Sequence, residues 1–563
     1  MAMTISSNCC LIDRSHFGLI ILYLTCLFVR FSQQYEPVPD LPLSHYPFFF
    51  QSNHHLIEKM CSSSRQLIPK EQKICDYVNS TGLKCWGYES AFGVNCSNKV
   101  ERITDCEKSN NGWPNSESEQ RETFFNQGDF GYIMERTKEL TTYCKPKMTF
   151  GSPLKLLGQS SSLECTRYFR FCRGKSIMID FKRLETLKEP IKYRTDILEN
   201  GQIGGWDCDR DILSIRKESA HKSPLQSWFD ELEHYDVYDN KPNCDITITK
   251  PTYIMKLDAT VNMYHHFCDF VNLYATLHLN QSFSTDINIL IWDTYPYRSN
   301  FGIVWKAFTN NPILNLSLYK GKKVCFKDAL FSLLPRMVFG LYYNMPLVPG
   351  CRKSRLFQAF NEHVLYKLNI TQNYTQIDDP STIRITLISR STKYRKILNE
   401  DELLDNLKKK SNNFKVQRVE FTHQMPFSDQ LTISHNSDIL IGMHGAGLTH
   451  CLFQPNWGVL FELYNCDDEN CYKDLASLRG LKYITWSSRD KLYPQDEGNH
   501  PNLGAHQKFT NYRFDVNEFI NLVMEGVKYV RKERVKYLQS SSIENQITIN
   551  SNTQQSGKSH LEL

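Results

Sequence analysis

Residues 383–389 read IRITLIS, 416–421 VQRVEF, 438–443 DILIGM, 459–463 VLFEL and 483–486 YITW, and these five runs decide the fold. Each is short, aliphatic and bounded by polar or glycine-containing segments, as strands are. Between them the pattern turns helical, at 399–410 (NEDELLDNLKKK), 427–434 (FSDQLTIS), 446–453 (AGLTHCLF) and 472–478 (YKDLASL). The first of these opens on Glu400, Asp401 and Glu402 and closes on Lys408, Lys409 and Lys410, charges matched to the helix dipole. Strict alternation of this kind predicts an α/β fold, a Rossmann-like parallel sheet with helices on both faces. Ligands of such sheets bind outside the carboxyl ends of the strands.

Four groups stand at or near those ends. Arg390 follows the first strand directly, and Arg395 lies in the same basic run, STKYRK. An arginine presents a planar fork of donors that grips a diphosphate; the plainer alternative is a solvated loop. After DILIGM come His444, Gly445, Ala446 and Gly447, where glycines let the backbone approach an anion at a helix start. Glu462, inside FELY, is placed to take two ribose hydroxyls, or is a paired structural acid. Upstream, the run NMYHHFCD opens another helix, and His265 and Asp269, four apart, share a face. A histidine oriented by a carboxylate is a candidate general base, with Asp293, after the strand INILIW, as a second.

Working outward, the 563 residues are too many for one small core and divide into segments. Residues 1–30 form a signal peptide or short signal-anchor around the apolar run FGLIILYLTCLFV, which is short for a membrane span. Residues 31–60 are a proline-rich linker, and 61–245 a cysteine-rich region without clean periodicity, expected to be irregular. Residues 246–380 form an N-terminal lobe, 381–538 a C-terminal, nucleotide-binding lobe, and 539–563 a polar tail. Its last residues, HLEL, resemble a retrieval signal of the endoplasmic reticulum. No later stretch is apolar enough to span a bilayer. The net charge of +5 comes without a dense basic stripe, so nucleic acid is a poor partner.

Sixteen cysteines follow the leader, an even set that favours disulfides in an oxidising lumen. Close neighbours include Cys75/Cys85, Cys96/Cys106, Cys165/Cys172 and Cys466/Cys471, but spacing does not fix the pairing. Six N-x-S/T sequons, at Asn79, Asn95, Asn280, Asn315, Asn369 and Asn373, point the same way.

The runs KPTYIMKLDATVNMYHHFCDFVNLYATLHLN, SRSTKYRKILN, DILIGMHGAGLTHCLF and FELYNCDDENCYKDLASLRGLKYITW resemble glycosyltransferase family 61, and the likeness extends over roughly residues 60–530. The resemblance implies a two-lobed, GT-B-like fold and inverting transfer of N-acetylglucosamine from UDP-GlcNAc to a Ser or Thr of folded EGF-like domains in the endoplasmic reticulum lumen. It implies that Arg390 serves the nucleotide phosphates and that Trp228 is structural. The family's Asn-x-x-His-x-x-x-Asp pattern is Asn262, His265 and Asp269 here. One departure stands out. Close relatives carry Asp-Tyr-Asp after Ala-Phe-Thr, whereas Ala307-Phe308-Thr309 is followed here by Asn310-Asn311-Pro312. That segment no longer offers carboxylates to a Mn2+ ion, which puts metal dependence in doubt. Asp207-Cys208-Asp209 has the spelling of a metal motif but lies among the cysteines and reads as a decoy. The remaining alternatives are a xylosyl or O-mannosyl-glycan transferase of the same family, or a lumenal binding protein that has lost turnover.

Overall fold

The computed structural model describes residues 60–62, 64, 66–81, 84–85, 98–99, 102–107, 114–147, 160–187, 194–221, 223–336, 341–342, 348–373 and 381–556. The leader, most of the linker, Asn95 and the HLEL end lie outside the described residues. Among the described residues no helix is long and apolar enough to cross a membrane.

The first sheet has eleven strands. Six come from the cysteine-rich region: β1 (Thr141–Pro146), β2 (Ser162–Cys165), β3 (Cys172–Asp180), β4 (Ile203–Trp206), β5 (Cys208–Arg210) and β6 (Tyr235–Tyr238). Five follow: β7 (Ile246–Ile248), β8 (Thr252–Met255), β9 (Asn288–Ile291), β10 (Leu314–Asn315) and β11 (Lys323–Phe331). The main path runs β10-β9-β8-β11-β3-β2-β1-β5. β8, β9, β10 and β11 are mutually parallel, while β3 runs antiparallel to β11 along its length. The boundary expected at 245/246 therefore passes through one sheet, and the 61–245 region is not irregular where it is described. Strands of three or four residues, such as IGGW and YDVY, are too short to display a period of two.

Among the described residues five disulfides reinforce this half: Cys61–Cys75, Cys106–Cys351, Cys144–Cys208, Cys165–Cys172 and Cys244–Cys325. Of the close neighbours only Cys165 and Cys172 join each other. Cys466 and Cys471 are free thiols, as are Cys268 and Cys451. Trp228 is fully buried; its indole donates to the Ser332 carbonyl at 2.7 Å and Lys256 lies 4.5 Å from its ring, so its role is packing. Asp207-Cys208-Asp209 is consumed by the Cys144 disulfide and an exposed pairing of Asp209 with Lys147, 3.7 Å.

Two helices carry the chain onward, α1 (Met263–Leu279) and α2 (Arg355–Lys367). The second sheet then follows the expected alternation, as β12 (Ile383–Ile388), α3 (Glu400–Lys410), β13 (Phe414–Val419), α4 (Phe427–His435), β14 (Ile439–Gly442), a 3-10 helix at Ala446–Phe453, β15 (Val459–Glu462), α5 (Cys471–Arg479) and β16 (Lys482–Thr485). β12, β14 and β15 are buried at every position, as central parallel strands must be, while β13 alternates and sits at the edge. The order is β13-β12-β14-β15-β16, all parallel. In chain order this is 2-1-3-4-5, so the direction of winding reverses between β12 and β14, and the crevice at that reversal is where such sheets bind ligands.

A long closing helix, α6 (Val516–Ser556), and α3 cover one face. Leu403, Leu407, Phe519, Val523 and Val527 pack there on Ile385, Ile439 and Val459, each fully buried side chain contributing about 1.5–3 kcal/mol. The 3-10 helix packs against α4, α5 and α1. Phe267 of α1 meets Phe427 at 5.8 Å and Phe453 at 5.5 Å, which joins the two sheets through an aromatic cluster.

Candidate active site

At the winding reversal, Arg390 leaves β12 and Arg395 follows in the same loop. Their guanidinium groups converge on one acceptor, the His444 carbonyl, at 3.2 and 2.9 Å. Burial, with Arg395 beside it, pushes the Arg390 guanidinium down to about 10. Two like charges sharing one neutral oxygen are poorly compensated and favour an anion between them. Arg395 also has a buried Nε with no protein partner, and its backbone N–H donates to Thr510 at 2.8 Å.

Gly445 has φ of 149°, and a Cβ there would lie 2.4 Å from Arg390 Nη1. Gly447 differs: a Cβ would meet only Ile388, at 3.7 Å. Gly445→Ala is therefore expected to cost about 1–3 kcal/mol and to displace Arg390, while Gly447→Ala leaves the melting temperature near wild type. Thermal melts of the two variants check this.

His444 is fixed from behind. Its Nδ1 lies 2.9 Å from Glu462 Oε1, and the other oxygen of Glu462 accepts from the Tyr483 hydroxyl at 2.5 Å. Glu462 is fully buried. This corrects its expected role: both carboxylate oxygens are engaged inside the protein, and the residue positions His444 rather than meeting a ribose. The far nitrogen of His444 faces Asp468 at 3.6 Å, and Asp468 in turn pairs with Lys508 at 2.9 Å.

The second cluster lies at the start of α1. Asn262 caps the helix by accepting from the Tyr264 N–H. His265, 23% exposed at its side chain, places Nδ1 3.0 Å from Asp258 Oδ2. Arg336 Nε donates to that same oxygen at 2.6 Å, and Arg336 Nη2 lies 3.1 Å from His265 Nδ1. Burial alone would raise the Asp258 carboxyl, but the hydrogen bonds from His265 and Arg336 outweigh it and hold the carboxyl below its ordinary value.

The expected His265–Asp269 pair does not form. Asp269 bonds His266 Nδ1 at 2.6 Å and accepts from the Asp258 N–H, with its side chain fully buried. Burial pushes its carboxyl up to about 6. Helical spacing put both residues on one face, but the acid that reaches His265 arrives from the preceding loop. Asp269 has no path to an acceptor and is a supporting residue. Asp293 accepts from the Tyr295 N–H at 2.9 Å, a turn-forming contact just past β9.

Two tyrosines link the clusters. The Tyr264 ring lies 5.8 Å from His265 and 5.6 Å from Tyr472, and Tyr472 lies 5.2 Å from His444. The base candidate and the arginine crevice thus face each other across a short aromatic wall.

Asn310 and Asn311 sit elsewhere. Asn310 bonds Thr285, and Asn311 donates to the Ile287 carbonyl at 2.8 Å, just before β9 begins. Asp258 emerges beyond the opposite end of the neighbouring parallel strand β8. Asn310 and Asn311 therefore lie at the far end of the sheet from the Asp258–His265 cluster. Of the sequons, Asn79, Asn369 and Asn373 are exposed. Asn280 and Asn315 are half-buried, their amides donating to Tyr253 at 2.9 Å and to the Tyr295 carbonyl at 2.7 Å.

Asp258 and Arg336 were overlooked in the sequence, although each follows a strand's carboxyl end, the same signal that singled out Arg390. Asp468 likewise follows β15, whereas Tyr483 and Lys508 had no such mark.

A family model described as Glycosyltransferase 61 matches residues 263–460, from the start of α1 to within β15. The EGF domain-specific O-linked N-acetylglucosamine transferase of Bos taurus is 47% identical over 505 residues, covering 87% of this chain and 89% of that protein. The protein of the same name from Gallus gallus is 47% identical over 509 residues, covering 87% and 90%. That from Drosophila melanogaster is 51% identical over 449 residues, covering 78% and 82%. With this identity along most of its length, the chain belongs to glycosyltransferase family 61.

Proposed function

We propose that the protein transfers N-acetylglucosamine from UDP-GlcNAc to a Ser or Thr hydroxyl of folded EGF-like domains, in the lumen of the endoplasmic reticulum. The observation that carries the reading is the convergence of Arg390 and Arg395 at the winding reversal of a parallel sheet. The relatives' shared name supplies the sugar and the acceptor class. In this reading the two sheets serve as the lobes of a GT-B-like enzyme, donor on the second and acceptor beside α1. The disulfides and the exposed sequons at Asn79, Asn369 and Asn373 support an oxidising lumenal compartment.

His265 accepts the hydroxyl proton at Nε2, while Asp258 holds Nδ1 and stabilises the imidazolium that forms. The hydroxyl oxygen attacks the anomeric carbon in line, the bond to the diphosphate oxygen breaks, and the product is inverted. Arg390 and Arg395 take the growing charge on UDP, in a site where such contacts act far more strongly than in water. Glu462 keeps His444, and with it the carbonyl that orients both arginines, in place.

Among the described residues no three His, Cys, Asp or Glu side chains converge, and Asp468, the partly exposed acid at the crevice, is bound to Lys508. No step is routed through a metal.

The test is incubation of a recombinant EGF repeat with UDP-GlcNAc, UDP-xylose or UDP-GalNAc, with Mn2+ or EDTA, followed by mass spectrometry. A single N-acetylhexosamine adduct from UDP-GlcNAc supports the reading. A pentose adduct assigns a different donor, and absence of any adduct assigns a binding protein.

A further inference from the structure

Asp468 lies in the loop 465–470 that follows β15, at the carboxyl edge of the second sheet. Cys466 and Asp467 just before it hold left-handed backbone, with φ of 53° and 63°, and Arg489 grips the Asp467 carboxylate at 2.6 Å. The loop is thereby turned back toward the crevice. One oxygen of Asp468, Oδ2, then sits between two groups: Lys508 Nζ at 2.9 Å and His444 Nε2 at 3.6 Å.

Lys508 comes from a segment of no strand signal, but that segment is fastened to the arginine loop. Thr510 accepts from the Arg395 N–H at 2.8 Å, and Phe509 packs on Tyr394 at 5.5 Å. Lys508, Arg395, Arg390 and His444 therefore border one crevice, and a single acidic oxygen bridges two of them. An oxygen held between an ammonium and an imidazole has the surroundings that a phosphate oxygen seeks.

We propose that Lys508 is a further ligand of the donor's diphosphate, and that Asp468 competes with the diphosphate for Lys508 and His444 and so sets donor affinity. The inference rests on reading the crevice as the UDP-sugar site. A diphosphate carries more charge than one carboxylate and meets the two arginines as well, so it displaces Asp468 outward. The side chain is 41% exposed and has water to turn into.

Isothermal titration of UDP and of uridine tests this on the full chain. Lys508→Met is expected to weaken UDP about tenfold or more while leaving uridine unchanged, and Lys508→Arg to restore most of the loss. Asp468→Asn is expected to tighten UDP about three- to tenfold. Unchanged UDP affinity in Lys508→Met overturns the proposal. So does weaker UDP binding in Asp468→Asn, which would make Asp468 a partner of the donor, as a ligand of a bridging cation would be. Wild-type protein that binds no UDP brings down the crevice reading itself. Wild-type protein that binds UDP, with both variants unaltered, brings down this inference alone.

Discussion

Arg390→Ala is expected to lower kcat for transfer by about 10²–10³-fold, the loss typical of removing one preorganised donor from a developing anion. UDP binding should weaken in parallel, by about 10–100-fold. The fold should not suffer. Arg390 gives the protein two hydrogen bonds, to the His444 carbonyl and to Thr392, and it faces the like charge of Arg395 across that carbonyl. Melting temperature measured without nucleotide should therefore stay level or rise, while the upward shift caused by UDP in the wild type disappears. A structural arginine would behave in the opposite way: its loss would lower the melting temperature first and activity in consequence.

Asp258→Asn carries the second large effect. Asp258 Oδ2 lies 3.0 Å from His265 Nδ1, and in the tautomer that donates Nδ1–H to it the basic lone pair is on Nε2. An amide in its place offers a donor or a neutral acceptor, and the imidazolium loses its counter-charge. Transfer is expected to fall by about 10²–10⁴-fold in kcat, with KM for UDP-GlcNAc nearly unchanged, because the donor crevice is not touched. His265→Gln should fall within the same range. Asp293→Asn is the control: its contact with the Tyr295 N–H is a turn contact, so kcat should stay within a few-fold of wild type. A pH profile adds a second readout, since the limb set by the base should vanish in His265→Gln. If Asp293→Asn collapses instead and Asp258→Asn is active, the base has been misassigned.

The second sheet was legible because β12, β14 and β15 are buried on both faces, which leaves near-continuous apolar runs in the sequence. Arg390, His444 and Gly445 were legible for a related reason: each directly follows such a run. The first sheet was half hidden. β8 and β9 read as strands, but β2, β4, β5 and β6 have three or four residues each and gain their stability from pairing, β2, β4 and β5 with β3 or β1 and β6 with β4, not from a local pattern. The Cys106–Cys351 bond joins residues 245 apart in sequence, and nothing local marks it.

The candidate base shows where periodicity stops being informative. Spacing four apart put His265 beside Asp269 on one helix face. The three-dimensional neighbours of His265 are Asp258 and Arg336, which arrive from loops after two different strands. Asp269 turns inward to His266, and its burial removes it from chemistry. Of the two readings left open for Glu462 the geometry favours the paired acid: a strand-end carboxylate looks open in sequence, but His444 and Tyr483 close on it from either side. The Asn310-Asn311-Pro312 segment looked like lost chemistry. Its contacts with Thr285 and Ile287, ahead of β9, put it at the amino end of that strand.

The central claim is that the crevice between β12 and β14 grips a sugar nucleotide by its pyrophosphate. A crystal structure with bound UDP tests it most directly. Phosphate oxygens are expected within hydrogen-bond distance of the Arg390 and Arg395 guanidinium groups, beside the backbone at Gly445. Ordered UDP bound elsewhere, with Arg390 still on the His444 carbonyl and no phosphate near it, would contradict it.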